Sequence, residues 1–224
     1  MIVNPYPGKF IAFEGMDGCG KTTQCTKAHN FLKAGGEQAI KVKEPDIDVL
    51  GGKLIYGLLF ERGPVGFSSM IQLQRQGHYF LNRIQHYVQK VVPALKSGVN
   101  VLSDRSLASI SLDILEPGDL EKLLMAEEYY FKMEEVDFIR PDLVIIYDVD
   151  PSVAVQRLKE KDERRRDFFE KPEKLLRTRE AYLEFASKFS DFCKVVDATE
   201  DADTVFARST RELLRKNFKL QEWR

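Results

Sequence analysis

The sequence is poor in several residue types, and each shortage excludes a class of protein. Its 224 residues include one tryptophan and only three cysteines, Cys19, Cys25 and Cys193. Three cysteines at irregular spacing are too few for a disulfide framework, and they make no metal-ligand pattern with the three histidines. The sequence therefore indicates a protein of a reducing compartment, without a zinc-binding module.

An excess of one charge is also lacking. Lys and Arg total 34 against 35 for Asp and Glu, so no overall field favours a duplex nucleic acid or an acidic membrane surface. The N-terminus does not combine a basic start with an apolar stretch, and no apolar run approaches the length of a membrane span. We therefore expect a cytoplasmic protein with no nucleic-acid or membrane partner, in which any affinity for phosphate must come from a local cluster of residues.

The amount of apolar sequence is sufficient for one sizeable core. Hydrophobic residues make up 43% of the chain and charged residues 31%, which is typical of a folded globular protein. Breaks in the pattern are weak, and we find no internal repeat. We predict a single domain over residues 1–224.

The most informative segment is a glycine-rich loop that fits the pattern G-x-x-x-x-G-K-[ST]. In such a loop the backbone N–H groups converge on a polyphosphate, Lys21 adds positive charge, and Thr22 offers a hydroxyl to Mg²⁺. The alternative is an ordinary glycine-rich turn with a surface lysine. We predict binding of a nucleoside triphosphate by the residues of this loop: Gly15, Met16, Asp17, Gly18, Cys19, Gly20, Lys21, Thr22 and Thr23.

The rest of the chain alternates strand-like and helix-like patterns. Strands are predicted over residues 9–14, 38–43, 100–104, 142–148 and 193–197. Helices are predicted over residues 21–34, 70–96, 119–138, 153–161, 173–187 and 202–218. This alternation predicts an α/β fold with a doubly wound, five-stranded parallel sheet, helices on both faces, and ligands at the carboxyl ends of the strands.

Three of these strands end in polar residues where a ligand would lie: Glu14 with the loop after it, Glu44-Pro45 and Asp104-Arg105. Asp104 is placed to hold a hydrated Mg²⁺, and Arg105 beside it could hold the phosphate of an acceptor bidentately. The alternative is a turn in which Asp104 caps the next helix. Glu44, after the second strand, could orient an acceptor or simply begin a turn.

Two further segments are ambiguous from their residues alone. The basic run that includes Arg157, Arg164 and Arg166 could be a solvated helix face, or a lid whose arginines stabilise a phosphoryl group in transfer. The predicted helix over residues 70–96 is most simply core or partner surface. Alternatively, Arg83 could hydrogen-bond a base edge, with Phe67 or Tyr79 stacking beside it.

The order of these motifs resembles the thymidylate kinase family of nucleoside monophosphate kinases. The loop Phe13–Gln24 is similar to the family's loop nearly residue for residue, and the resemblance extends from Phe10 to about Phe218. Further matching motifs are Glu44-Pro45, Asn82-Arg83, Asp104-Arg105, Pro141-Asp142 and the Asp167 to Glu170 spacing.

The resemblance implies the P-loop kinase fold, ATP as donor, Mg²⁺, an acceptor region over about residues 44–113 and a lid over about residues 157–171. It implies that Thr22, Asp17 and Asp104 manage the metal, that Arg105 holds the acceptor phosphate, and that Arg164 and Arg166 supply lid charge. Arg157 would lie by the donor adenine. The implied acceptor-binding residues are Glu44, Phe67, Arg83, Asp104, Arg105, Ser109 and Glu170. A homodimer is also implied.

Three positions depart from the family pattern: Ser106, Ile110 and Asp113 stand where an aromatic or histidine, a polar residue and a tyrosine are usual. The acceptor's base and sugar are therefore less well defined than the reaction. We predict ATP- and Mg²⁺-dependent phosphorylation of dTMP to dTDP. The alternatives are a kinase for another or modified pyrimidine monophosphate, a deoxynucleoside kinase, and an inactive paralogue or nucleotide switch that binds ATP.

Overall fold

The structure is a computed structural model that describes residues 1–60, 66, 70–113, 118–161 and 172–215. Its centre is a sheet of five strands: β1 (Phe10–Glu14), β2 (Ala39–Lys43), β3 (Asn100–Asp104), β4 (Leu143–Asp148) and β5 (Cys193–Asp197). All neighbouring strands are parallel, in the order β2-β3-β1-β4-β5. The predicted α/β fold with a five-stranded parallel sheet is confirmed.

Helices connect the strands. They are α1 (Lys21–Ala34), α2 (Gly52–Phe60), α3 (Gln72–His86), α4 (Val92–Lys96), α5 (Asp119–Met133), α6 (Pro151–Lys161), α7 (Pro172–Lys188) and α8 (Ala202–Leu214). A π-helical segment, Tyr87–Val91, joins α3 to α4, and a 3-10 segment, Leu107–Asp113, follows β3. In the part of the chain that is described, no helix is both long and apolar enough to traverse a bilayer.

The sheet is covered on both faces because its strands are apolar on both sides. Along β1, Phe10 and Ala12 pack into one cluster with residues of α3, α5 and α7. Ile11 and Phe13, which point the other way, pack into a second cluster with residues of α1, α6 and α8. Because all the strands are parallel, their carboxyl ends lie at one edge of the sheet.

Three polar strand ends meet at that edge. Phe13 pairs with Asp104 in register, and Lys43 pairs with Asp104 from the other side. The backbone N–H of Glu44 donates to the carbonyl of Asp104 at 3.0 Å, and the Glu44–Pro45 peptide bond is cis. The ends of β1, β2 and β3 therefore lie side by side, as the pattern of polar residues predicts.

Some predicted helices differ from the observed ones. The helix predicted over residues 70–96 begins at Gln72 and changes to π geometry at Tyr87, where the N–H of Val92 bonds the carbonyl of Tyr87. Pro93 explains the change, because its ring and missing N–H prevent ordinary α-helical bonding in the turn before it. The helix predicted to end at residue 138 stops at Met133, just before Glu135 adopts a left-handed φ of 55°.

Helix α2 was not among the helices predicted from the sequence, because two consecutive glycines, Gly51 and Gly52, are typical of a break. Gly51 does supply a left-handed turn, with φ of 79°, but the chain becomes helical directly after it. Gly52 is required by packing, since a Cβ there would lie 2.0 Å from the carbonyl oxygen of Asp46. The last helix is described only to Leu214, so its predicted extension to residue 218 lies outside the described residues.

Candidate active site

The glycine-rich loop connects β1 to α1 in the conformation that its glycines allow. Gly18 has φ of 85°, and a Cβ there would lie 2.4 Å from the carbonyl oxygen of Ala154. Gly20, the N-cap residue of α1, has φ of 94° and no side chain that could cap the first N–H groups of the helix. These N–H donors and the positive end of the helix dipole form a site for anions.

Lys21 lies at the mouth of this loop. Its ammonium donates to the carbonyl of Met16 at 3.3 Å and to Asp17 Oδ1 at 3.2 Å. Met16 and Cys19 are buried in the core below the loop, whereas Thr22 and Thr23 are exposed at its surface. The loop therefore presents its backbone and the lysine, and keeps its apolar side chains inside.

Asp17 joins the lysine to the arginine that follows β3. Its Oδ1 also accepts a hydrogen bond from Arg105 Nη2 at 2.5 Å. Burial would raise the pKa of Asp17, but the charges of Lys21 and Arg105 outweigh burial and hold that pKa below its ordinary value. Asp17 is thus a carboxylate at neutral pH, shared by two cations.

Arg105 is held in a strained backbone conformation. Its φ is 80°, a left-handed value that costs a non-glycine residue about 1–2 kcal/mol. Its N–H donates to the carbonyl of Phe13 at 3.1 Å, and its Nη1 donates to the hydroxyl of Tyr182 at 3.2 Å. Nη1 also lies 3.5 Å from Ser109 Oγ. The turn and these contacts direct the guanidinium back across the end of β1.

Thr22 and Asp104 form a second contact between the loop and β3. The hydroxyl of Thr22 donates to Asp104 Oδ2 at 2.7 Å. Asp104 Oδ1 is buried and has no hydrogen-bond partner among the described residues. A hydroxyl beside a carboxylate with a spare oxygen is a donor set that suits hydrated Mg²⁺. Within the described ranges no group of three or more His, Cys, Asp or Glu could hold a metal, so such an ion would also need phosphate or water ligands.

Glu14 supports Arg105 from below. It is fully buried at the end of β1 and accepts bonds from the N–H of Ser106 at 2.5 Å, from Ser109 Oγ at 2.9 Å and from Tyr182 OH at 2.9 Å. Burial raises the pKa of Glu14, although Arg105 and these donors oppose the rise. Glu14 therefore orients the groups that surround the guanidinium.

A second buried cluster lies beside this network. Arg83 Nε donates to Glu44 Oε2 at 2.5 Å, and Arg83 Nη2 donates to the carbonyl of Ser106 at 2.9 Å. Arg83 Nη1 forms an ion pair with Glu127 of α5. The predicted acceptor residues Glu44 and Arg83 are thus in direct contact.

The remaining predicted residues fall in other places. Arg157 on α6 donates to the carbonyls of Ala198, Thr199 and Glu200, so it holds the loop that follows β5. Phe67, Arg164, Arg166 and Glu170 lie outside the described residues, as does most of the predicted lid.

Tyr182 and Glu127 were not predicted as site residues, and Glu14 was predicted only as a polar strand end at the ligand edge. Glu127 had a signal in the sequence, because it occupies the buried stripe of α5 formed by Leu120, Leu123 and Phe131. A charged residue on an apolar stripe indicates a buried partner. Tyr182 had no such signal, since it simply continues the apolar pattern of α7.

The sheet order, the glycine-rich loop and the Asp104-Arg105 pair define a P-loop phosphotransferase. A profile described as thymidylate kinase matches residues 13–209. The chain belongs to the thymidylate kinase family.

Individual relatives agree with this assignment. A thymidylate kinase of Geobacillus sp. (strain WCH70) is 31% identical over 202 residues, covering 89% of this chain and 93% of that protein. One of Tropheryma whipplei (strain Twist) is 30% identical over 210 residues, covering 92% and 96%. The solved thymidylate kinase of Ehrlichia chaffeensis has the same fold, with a TM-score of 0.68 at 23% identity, over 92% of this chain and 98% of that chain.

Proposed function

We propose that this chain transfers the terminal phosphoryl group of ATP to the phosphate of dTMP, giving dTDP and ADP. Membership of the thymidylate kinase family implies this reaction. The observation that carries it to particular residues is the chain of ion pairs Lys21–Asp17–Arg105, with contacts of 3.2 and 2.5 Å. It joins a donor loop to an acceptor arginine at one edge of the sheet.

On the donor side, the backbone N–H groups of residues 15–23 bind the β- and γ-phosphates, and Lys21 neutralises their charge. Arg157 contributes to the adenine site by holding the loop at residues 198–200, which would lie beside the base. Thr22, Asp104 and Asp17 would hold Mg²⁺ directly or through water, and the ion would neutralise charge on the donor phosphates.

On the acceptor side, Arg105 binds the phosphate of dTMP and directs one of its oxygens at the γ-phosphorus. That oxygen forms the new P–O bond as the bond to the β–γ bridging oxygen breaks, and ADP leaves with the released electron pair. Glu14, Ser109 and Tyr182 keep the guanidinium in place. No covalent enzyme intermediate is needed.

The base lies towards Arg83 and Glu44. Arg83 donates three of its five N–H groups within the protein, which leaves one on each terminal nitrogen for a carbonyl of the base. This proposal also includes three further parts: stacking of Phe67 on the base, a position of Glu170 beside the acceptor, and closure of a lid over residues 157–171 that carries Arg164 and Arg166. We also propose that residues 1–224 form a single domain.

The decisive test is an ADP-release assay with ATP and Mg²⁺ against dTMP, dUMP, dCMP, UMP, dGMP and thymidine. We expect turnover with dTMP to exceed turnover with each other acceptor. Binding of ATP without ADP release for any acceptor would instead support an inactive paralogue or nucleotide switch.

A deoxynucleoside kinase is the second candidate, and one observation favours it. Ser106, where the family has a bulky ring, is fully buried with its hydroxyl unpartnered among the described residues, which changes the wall of the acceptor pocket. Phosphorylation of thymidine but not of dTMP in the same assay would select this candidate.

We also propose a homodimer in the cytoplasm. The exposed apolar side chains Leu54, Leu81 and Val88 of α2, α3 and the π segment suit a second copy of the chain. The three buried free thiols, Cys19, Cys25 and Cys193, agree with a reducing compartment. Light scattering at increasing concentration tests the dimer, and a constant monomer mass contradicts it.

A further inference from the structure

We propose that Glu127 is a positioning residue for the acceptor base: together with Glu44 it holds the guanidinium of Arg83 and so sets the affinity for dTMP. This inference rests on the proposed role of Arg83 at the base. Glu127 lies on α5, outside every motif that identifies the family in this sequence.

The contacts of Arg83 are made from three directions. Glu44 reaches Nε from the loop after β2, the carbonyl of Ser106 reaches Nη2 from the turn after β3, and Glu127 reaches Nη1 from α5. Arg83 is 5% exposed and Glu127 is 0% exposed. Burial and these three contacts therefore hold the guanidinium in one position.

The loop that carries Glu44 is itself fixed to α3. Asn82, the neighbour of Arg83, accepts from the N–H of Asp46 at 2.8 Å and donates to the carbonyl of Asp46 at 3.0 Å. His86, one turn further on, lies 2.7 Å from the Asp46 carboxylate. Glu44 and Arg83 are thus held by the same frame, whereas Glu127 and the Ser106 carbonyl reach Arg83 from separate elements.

The cluster places two carboxyl groups against one guanidinium. Glu44 Oε1, Glu127 Oε2 and Ser106 Oγ are buried and have no hydrogen-bond partner within the described residues. Two ionised carboxylates around one guanidinium would leave one negative charge in a dry environment, which is costly. The charges balance when Glu127 carries a proton: Arg83 then forms its ion pair with Glu44, while Oε1 of the neutral Glu127 still accepts the hydrogen bond from Nη1.

The ionisable groups around Glu127 agree with that state. Arg83 and Tyr87 face it from α3 and the π segment, and Glu44 faces it from the loop after β2. The 3-10 segment has no ionisable side chain between Leu107 and Ser111. Burial, helped by Glu44 and opposed by Arg83, raises the pKa of Glu127 to about 7. Below that pH Glu127 is neutral, and above it Glu127 competes with the base for the charge of Arg83.

The test measures KM for dTMP and for ATP between about pH 6 and about pH 8.5, in the wild type, in Glu127→Gln and in Glu134→Gln. Glu134 is an exposed glutamate at the end of the same helix. Ionised Glu127 should weaken the hydrogen bond from the charged Arg83 to the base. From the usual strength of such a bond, we expect KM for dTMP to rise about tenfold with pH in the wild type and in Glu134→Gln. In Glu127→Gln it should rise much less, and KM for ATP should stay the same in all three.

Ionisation of the dTMP phosphate affects all three proteins equally, so the comparison uses the ratio of KM between variants at each pH. A ratio of Glu127→Gln to wild type that is constant with pH overturns the inference, as does an equal change in KM for ATP. Should Glu127→Gln be too unstable to assay, a wild-type KM that follows only the ionisation of dTMP overturns it as well. A wild type with no dTMP turnover at any pH instead removes the proposed function.

Discussion

The hydroxyl of Thr22 donates a hydrogen bond to Asp104 Oδ2 at 2.7 Å, although the two residues are 82 positions apart in the chain. Thr22 lies in the first turn of α1 and Asp104 is the last residue of β3. The contact therefore links the donor loop directly to the strand that leads into the acceptor arginine. A substitution at either residue should therefore change the Mg²⁺ dependence of activity more than it changes the stability of the fold.

Replacing Asp104 by asparagine should raise the Mg²⁺ concentration needed for half-maximal activity. Asparagine keeps the shape of the side chain and an oxygen for Thr22, but removes the negative charge that favours the cation. The measurement is a Mg²⁺ titration at fixed ATP and dTMP, with Asp48→Asn, at an exposed aspartate, as the control. Identical titration curves for Asp104→Asn and wild type would remove Asp104 from the proposed metal site.

Lys21→Ala should lower kcat by about 100-fold or more, because one preorganised charge at a transferring group contributes roughly 3 kcal/mol. The thermal unfolding temperature should change little, since among the described residues the ammonium donates hydrogen bonds to Asp17 and the Met16 carbonyl alone. Lys33→Ala, at the exposed end of the same helix, is the matched control. Near-full turnover in Lys21→Ala would show that the lysine does not act on the phosphates.

Arg105→Ala should raise KM for dTMP at least tenfold, the factor that corresponds to about 1.4 kcal/mol, while KM for ATP changes less. The physical reason is the loss of a charge-assisted contact to the acceptor phosphate. Arg215→Ala removes an exposed arginine and serves as the control. A larger effect on ATP than on dTMP would place Arg105 with the donor.

Tyr182→Phe should weaken acceptor binding without abolishing turnover. The variant loses the bond to the Glu14 carboxylate and the contact with Arg105, for a cost of about 1–2 kcal/mol. Its effect should appear as a rise in KM for dTMP and a small fall in unfolding temperature. Tyr129→Phe, at a tyrosine 62% exposed on α5, should change neither. A fall in unfolding temperature alone would make Tyr182 a purely structural residue.

The stability of the protein should depend on pH through Glu127. Its pKa is raised from the ordinary 4.5 to about 7, so the folded chain holds the proton more tightly than the unfolded chain does. The stabilisation is fully present below about pH 4.5 and is lost as the pH rises through about 7.

Denaturant unfolding of the wild type and Glu127→Gln should reveal this dependence. The free energy of unfolding of the wild type, minus that of the variant, should fall by about 2–3 kcal/mol between pH 4.5 and 8. A difference that is constant over this range would contradict the raised pKa, whatever the enzyme's activity.

The fold could be predicted from the sequence because its signals are local. Each strand is a short apolar run ending in polar residues, and the loop before α1 has a recognised spacing. Helix boundaries were harder, since Pro93 changes the hydrogen bonding in the preceding turn and Gly52 is required by contact with Asp46. Such effects depend on neighbours that the sequence does not place.

The site residues also fall into two groups: those that local sequence signals predict and those that depend on tertiary contacts. Lys21, Thr22, Asp104 and Arg105 follow strand ends, and the parallel sheet brings them together. Glu127 and Tyr182 reach the site from helices packed beneath it, so their contacts depend on tertiary structure. A charged residue on a buried stripe was the one available sign, and only for Glu127.

The left-handed backbone at Arg105 has a consequence for the history of the chain. Glycine or asparagine would relax that turn, so drift in a protein freed from catalysis should replace the arginine with one of them. A side chain kept at a position that disfavours it is a signature of purifying selection on chemistry, which separates a working enzyme from a degenerate copy. Sequencing close orthologues and counting how many carry glycine or asparagine in place of Arg105 would test this expectation without any assay.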